Sequence, residues 1–476
     1  MNTGKLPPTG PMAALSPTLQ SVLVRAADPR YEAWAAQLKH AGYCRRPVRL
    51  IGSTTTVEQG TGEVRSVFDT ACEPDGLLLK ACRNRRSTVC PTCAETYRAD
   101  SYQLVAAGLQ GGKSTPETVA GHPRLFVTLT APSFGSVHSR RQSDTGQVRP
   151  CRLAQGHCEH GLRRGCHRRH GAADELLGQP ICPDCFDYTG AVLWQSQTGE
   201  LWRRTTIGVV RRLAEAIGRP VRQVQAEVRL SYTKVVEYQA RGLVHFHAVI
   251  RLDARPPVDN PTLVLSPPAG YTTALLAAAV HAAAQAVQAP GLTDDPDVDG
   301  LMRWGAQVDV RTVPPVAAED GGSRHVAGYL AKYATKSTDD SGALDHRLSG
   351  PDEIETLAVN DHLRRLVATA WRLGGLEHLA SLRLRTWAHT LGYRGHWATR
   401  SRRYSTTLKA LREARQHWHH VDDDQFEVAD VLRLADWRFA GRGFRNSGDA
   451  WLAATGAKSQ ALVRQESRYR RLTTAA

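Results

Sequence analysis

The chain has 476 residues, enough for two or three domains and an ample buried core. Its 61 Lys+Arg against 46 Asp+Glu leave a formal charge of +15, a balance that suits a polyanionic partner, nucleic acid before membrane. No apolar run approaches the roughly eighteen residues that span a bilayer, and the start, Met1-Asn2-Thr3-Gly4-Lys5-Leu6-Pro7-Pro8, lacks the compact apolar segment of a signal peptide, so a cytoplasmic protein with no membrane partner is expected.

Residues up to about Ser16 are rich in Pro and Gly and are expected to be disordered. Leu19 to His40 has helical spacing, and Arg49 to Val67 reads as short strands and turns. Ten cysteines in a long chain of this class argue for thiolates on metal rather than disulfides. Cys82 precedes Cys90-Pro91-Thr92-Cys93, a Cys-x-x-Cys knuckle that runs into a helix from Ala94. A second knuckle, Cys182-Pro183-Asp184-Cys185, ends an insertion over 136–190 rich in Arg, His and Cys, which also holds Cys151, Cys158 and Cys166. Such a turn lets two sulfurs grip one Zn²⁺ at about 2.3 Å, and a structural site takes four ligands. Two zinc sites are therefore expected. Cys82 belongs with the first knuckle, its fourth ligand Cys151 or Cys72. Cys158 and Cys166 can complete the second, with His160 or His170 as substitutes. One knuckle reaching across to the other stays open, as do free thiols at Cys44 and Cys72.

Leu125 to Thr130 reads as the first core strand and Leu201 to Ile217 as a helix with paired basic residues. Ala226 to Tyr238 and Val244 to Leu252 read as a hairpin turned by Gln239-Ala240-Arg241-Gly242. In the apolar run bounded by Gly242 and Arg251, period-two geometry puts His245 and His247 on one face, and the hairpin can bring Glu237 opposite them. Two neutral imidazoles and a carboxylate suit Mg²⁺ or Mn²⁺. The competing reading is two satisfied core histidines. A second His-x-His, His417-Trp418-His419, lies on a helical pattern where i and i+2 diverge, and reads as a solvated helix end.

A Pro-rich linker (255–268), a helix over Tyr271 to Gln288 and a strand over Val308 to Val313 lead to a helix expected to start after Gly328. On it Tyr329 and Tyr333 are four apart and share a face, with Lys332 and Lys336 three residues after each. Beyond Pro351 the chain reads as mostly helical. Residues 383–415 hold nine Lys/Arg against one acid, Glu413, interleaved with Trp387, Tyr393, Trp397 and Tyr404. Arg394, Arg400, Arg402 and Arg403 are the candidate DNA contacts there, the aromatics either stacking on bases or facing the core. The fold class is α+β, an antiparallel sheet backed by helices. The expected divisions are 1–80, a Cys-rich part over 81–200, a catalytic core over 201–350 and a basic helical part over 351–476.

The His-hydrophobic-His strand followed by Tyr-x-x-Lys-Tyr-x-x-Lys resembles the HUH endonucleases, specifically rolling-circle replication initiators. With Phe126-Val127-Thr128-Leu129-Thr130, the Cys-rich segments, Gln239-Ala240-Arg241-Gly242 and Gly392-Tyr393-Arg394-Gly395-His396-Trp397, the pattern is similar to the initiators of actinobacterial plasmids and integrative elements, from about Cys82 to Arg415. The resemblance implies a five-stranded antiparallel sheet with a metal site on its open face. It implies tyrosine attack on single-stranded origin DNA, a 5′-phosphotyrosine, a 3′-hydroxyl primer and later rejoining. Duplex origin DNA and a host helicase and polymerase are the implied partners. In resembled proteins with one tyrosine, the nucleophile falls at the position of Tyr333 and a Glu at that of Tyr329. Two alternatives use the same residues: a single-strand transposase or relaxase, and a non-catalytic zinc-dependent DNA-binding regulator.

Overall fold

Branched, period-two runs form the strands and Ala/Leu-rich runs form the helices. A computed structural model of the chain describes residues 15–314, 322–336, 346–419 and 431–473. The Pro/Gly-rich start, expected to be disordered, lies almost wholly outside the described residues. In chain order the elements begin with α1 (Pro17–Ala26), α2 (Tyr31–His40), β1 (Val48–Glu58), β2 (Val64–Asp69), β3 (Leu78–Lys80) and α3 (Pro91–Gln110). Next come β4 (Arg124–Leu129), the short pair β5 (Arg141–Gln142) and β6 (Val148–Arg149), α4 (Tyr188–Ala216) and α5 (Val221–Glu227). Then follow β7 (Val228–Tyr238), β8 (Val244–Ala254), α6 (Thr273–Ala286), β9 (Ala289–Gly291), β10 (Gly300–Met302), β11 (Val308–Thr312) and α7 (Gly322–Lys336). The last are α8 (Asp352–Glu355), α9 (Asp361–Leu373), α10 (Leu384–Trp387), β12 (Ala398–Arg400), α11 (Leu408–His419), β13 (Val431–Arg442) and α12 (Ser447–Thr473). The class is α+β, and among the described residues every strand pairs antiparallel.

The chain divides into two compact units, one of residues 1–97 with 413–476, the other of residues 98–412. The divisions expected near 80, 200 and 350 do not coincide with these. The C-terminal part is also less helical than expected, because β13 pairs with β1 over eleven positions. Its alternation (Leu432, Leu434, then Trp437 and Phe439) was readable as a strand. In the same unit Arg25 is buried between Asp449 (2.8 Å) and Asp75 (2.6 Å), pinning both ends of the chain's sequence to one core.

The larger unit is built on a five-stranded sheet in the order β11-β4-β8-β7-β12. β7 and β8 pair along their full length, Val228 to Ala254 through Tyr238 to Val244. At the turn Gly242 has φ +72°, and a Cβ there would come within 2.7 Å of Leu366 Cδ1 on α9. One sheet face packs on α4 and α6, and on it the ring of Phe246 meets Trp202 of α4 and Trp304, with centroids 6.0 and 5.2 Å away.

The other face carries β8 residues His245, His247, Val249, Arg251 and Asp253. Arg251, which bounds the apolar run, lies within the strand as expected and is fully buried there. Its guanidinium meets Asp253 (2.7 Å) and the carbonyl of Gly108, while Arg124 donates to Leu109 O (2.6 Å). The carbonyls left open at the C-terminal end of α3 thus receive two buried cations, as helix polarity favours. This fills one end of the face, and the histidines occupy the other.

Lys234 points to the helix-packed side and is 6 % exposed, its Nζ 4.1 Å from the Phe246 ring centroid. Burial lowers it from 10.5 to about 7. The folded chain therefore holds fewer protons than the unfolded chain between about 7 and 10.5, and stability rises with pH through that window. Lys234→Met is expected to stabilise the protein by roughly 2–4 kcal/mol at pH 7 and by much less at pH 10, measured by denaturant unfolding at both pH values. An equal gain at both would mean the amine is not neutral in the core.

Candidate functional site

The hairpin register sets Glu237 directly opposite His245, and the neighbouring pairing sets Thr128 of β4 opposite His247. All four leave the sheet on one face. His245 Nε2 is 3.1 Å and His247 Nε2 3.3 Å from Glu237 Oε2, and the two nitrogens are 3.2 Å apart. Ligand atoms roughly 2.1 Å from one ion, at octahedral to tetrahedral angles, lie about 3.0–3.4 Å from each other. The triangle has that size, and its two imidazole nitrogens and one carboxylate oxygen could hold a divalent ion.

Burial pushes the Glu237 carboxyl up, but hydrogen bonds to His245 and His247 outweigh it and hold the group below the ordinary carboxylate range. Burial lowers His247, so its imidazole is neutral at pH 7 and offers a lone pair. Thr128 Oγ1 lies 3.0 Å from His247 Nδ1, which orients the ring with Nε2 toward Glu237. The Phe126 ring stacks on the same imidazole at 5.8 Å and 5°.

The tyrosine helix α7 begins at Gly322, not after Gly328 as expected; an interior Gly costs about 1 kcal/mol against Ala and is tolerated. Ser323, Ala327, Leu330, Ala331 and Ala334 form its buried stripe. That seats the helix so that Tyr329 Oη is 3.2 Å from His247 Nε2. The Tyr333 ring lies 4.4 Å from that of Tyr329 and 5.9 Å from that of His247, centroid to centroid. Burial, then the negative charge of Glu237, raises Tyr329 above the usual phenol range, so in this environment it is a neutral phenol. Lys332 is exposed with Nζ 5.5 Å from the Tyr333 ring centroid. Lys336 ends the helix, and its side chain lies outside the described residues.

Nine of the ten cysteines fall into three clusters of potential metal ligands: Cys44, Cys82, Cys90 and Cys93; His138, Cys151, Cys166 and His170; and Cys158, His160, Cys182 and Cys185. Two were expected. The residue that completes the first cluster is Cys44, neither Cys151 nor Cys72. A turn with φ +65° at Gly42 and +50° at Tyr43 carries Cys44 from α2 to the knuckle, whereas Cys72 is exposed elsewhere. Cys158 joins the second knuckle with His160, and Cys166 goes with His170 to a separate cluster. Four sulfurs around one tetrahedral zinc lie about 3.8 Å apart, and in the first cluster Cys44–Cys90, Cys82–Cys93 and Cys44–Cys93 are each 3.7 Å.

Residues 30–458 match the family described as Replication initiator protein, pSAM2 (RepSA). A replication initiator protein of Streptomyces ambofaciens is 42% identical over 475 residues, covering 96% of this chain and 97% of its own length. The chain belongs to the RepSA replication initiator family. No solved structure matches it.

For two aromatics of 383–415 the core-facing alternative holds, and two of the four arginines have carbonyl partners within the chain. Tyr393 and Tyr404 are 2 % and 0 % exposed and cannot stack on bases; they face the core, Tyr404 Oη donating to Val105 O (3.2 Å). Arg400 Nη1 is directed at the carbonyls of Ser401, Arg402 and Ser405, so it braces its own loop. Arg394 also reaches a carbonyl, Ser381 O at 2.9 Å, and Arg402 is exposed. Arg403 is half-buried beyond β12. The structure does not bring any of the four to the Glu237 triad. Conversely, Thr128 and Phe126, which in the sequence read only as residues of the first core strand, support the site. The available signal was a threonine at a core-strand position, where period two aligns it with its neighbours' inward or outward set. Among the described residues no helix is long and apolar enough to cross a membrane.

Proposed function

We propose that this initiator nicks one strand at its origin through a tyrosine, leaving a 5′-phosphotyrosine and a 3′-hydroxyl primer for rolling-circle replication, and later rejoins the strand. The observation that carries the reading is the convergence of Tyr329 and Tyr333 on the Glu237–His245–His247 triangle. The five-stranded antiparallel sheet with this group on the face turned away from α4 and α6 supports an HUH-type assignment, as does the family. Mg²⁺ or Mn²⁺ held by these three residues would polarise the scissile phosphate, neutralise developing charge and offset the environment that keeps Tyr329 a phenol.

The chain's own residues do the rest. One tyrosine oxygen attacks phosphorus, forming the Tyr–O–P bond as the P–O3′ bond breaks, and the proton lost by the phenol is balanced by the one gained at the 3′ oxygen. The covalent bond stores the energy for rejoining. Lys332 and Lys336, one helical turn apart, supply positive charge for the phosphate. Thr128 and Phe126 hold His247 in its ligating orientation. Zn²⁺ in the Cys44–Cys93 and Cys158–Cys185 clusters serves structure, and the basic balance of the chain serves contact with duplex and single-stranded origin DNA. Host helicase and polymerase would take over the 3′ end.

The test is a denaturing gel with single-stranded origin oligonucleotide and Mn²⁺. A protein–DNA adduct on the fragment bearing the 5′ phosphate is expected, absent with EDTA. Duplex binding with no adduct under any divalent ion would favour the non-catalytic regulator.

A further inference from the structure

The segment between β4 and α4 has almost no apolar interior. Residues 138–185 contribute nothing to the main hydrophobic core, and Leu153 and Leu162 are exposed. Its buried residues are Cys151, Cys166, His170 and Cys182, with only Gly178 and Pro180 besides. A stretch of that length without a core needs another source of order, and bound metal is the usual one.

We propose that His138, Cys151, Cys166 and His170 hold a zinc ion of their own, a third in the chain, and that this site and the Cys158–Cys185 site form one interleaved two-metal module braced against the tip of the β7–β8 hairpin. The inference rests on the reading of the Cys158 cluster as a zinc site. Along the chain the ligand pairs alternate: His138 and Cys151 for one site, Cys158 and His160 for the other, Cys166 and His170 for the first again, Cys182 and Cys185 for the second. Each site therefore closes a loop that contains ligands of the other.

The distances suit an ion. Around a tetrahedral zinc with Zn–S about 2.3 Å and Zn–N about 2.0–2.1 Å, sulfur and nitrogen lie about 3.5 Å apart and two nitrogens about 3.3 Å. Cys166 Sγ is 3.5 Å from His170 Nε2, His138 Nδ1 is 3.2 Å from His170 Nε2, and Cys151 Sγ is 4.0 Å from His138 Nδ1. An independent feature outside the four ligands points the same way. His170, fully buried, has Nδ1 2.7 Å from Asp174 Oδ2. A carboxylate on the far nitrogen fixes the tautomer and directs the Nε2 lone pair into the cluster, the usual support behind a metal-bound histidine. The Ser139 amide also points at Cys151 Sγ, at 3.2 Å.

The brace is tied to one of these ligands. Gly178 N donates to His138 O (2.9 Å), and Gly178, at φ +86°, lies so close to the hairpin turn that a Cβ there would be 2.2 Å from the Ala240 carbonyl carbon. Ala240 is three residues beyond Glu237, so the module stiffens the turn behind a triad residue.

Native mass spectrometry of the full chain, purified without chelator, tests this. Three zinc ions are expected. Asp174→Asn keeps the acceptor used by Leu176 N but weakens the support of His170; in competition with a zinc chelator it should release one ion at a roughly ten- to hundred-fold lower chelator concentration than wild type. Protease cleavage within residues 139–169 should appear with that release. Two ions in the wild type, with Cys151 and Cys166 free or oxidised to a disulfide, overturn the third site and leave the two knuckle sites standing. No zinc at all overturns both. Release from Asp174→Asn that matches wild type also counts against the site.

Discussion

His245→Ala and His247→Ala are each expected to lower nicking of the origin strand by at least a hundred- to a thousand-fold, while duplex binding stays near wild type. The magnitude is that of removing one preorganised stabiliser of the charge developing on the scissile phosphate. Each imidazole lies within 3.3 Å of Glu237 Oε2, so either deletion opens one corner of the triangle and leaves the other two donors unable to enclose an ion. Thr128→Val should produce a graded version. It keeps the shape and removes the hydroxyl 3.0 Å from His247 Nδ1, so about ten- to hundred-fold more Mn²⁺ should restore its adduct yield. Oligonucleotide cleavage titrated with Mn²⁺, beside a gel shift on duplex origin, measures all three. Unchanged nicking in both histidine variants removes the metal-site hypothesis.

Tyr333→Phe and Tyr329→Phe are each expected to support no more than half of the strand-transfer cycle, and the double variant to form no adduct. Phenylalanine retains the ring packing, in which the two rings lie 4.4 Å apart, and deletes only the nucleophile. Both side chains reach the triad from one helix face, so the two can alternate at one phosphate, one holding the parental 5′ end while the other cuts the regenerated junction. Tyr333 is expected to matter first, by its position in the resembled single-tyrosine proteins, although Tyr329 has the closer hydroxyl, 3.2 Å from His247. Covalent adduct yield and circular product from a two-site oligonucleotide separate the halves. If Tyr329→Phe completes cutting and circularisation at the wild-type rate, Tyr329 is a packing residue and alternation is wrong, even with nicking by Tyr333 intact.

Some of this was legible in the residues alone because it depends on local period. A strand repeats every second residue, so His245 and His247 had to share a face, and a short turn after Tyr238 had to bring Glu237 near them. A helix repeats every 3.6 residues, so Tyr329 and Tyr333 had to lie together. The Cys-x-x-Cys turns marked two sites by the same local logic.

What local period cannot specify is which distant segment meets which. Thr128 reaches His247 only because β4 pairs with β8 in one register, with some 120 residues between them in sequence. Cys44 completes the first cluster, and Cys166 parts from Cys158, because tetrahedral closure is decided by where remote loops converge rather than by spacing. Arg251 ends the apolar run of its strand, and a lone cation there usually ends in water. The open carbonyls of α3 and the Asp253 carboxylate make it a buried residue instead. In the same way β13 finds β1 across almost the whole chain, and Tyr393 and Tyr404 turn into the core. The histidine pair, the tyrosine pair and the α+β class could be read from the residues, because each follows from the geometry of one or two adjacent elements. Register between remote strands, the partition of ligands among three clusters and the fate of buried charge were decided only by tertiary packing, because each needs partners that the nearby residues do not contain.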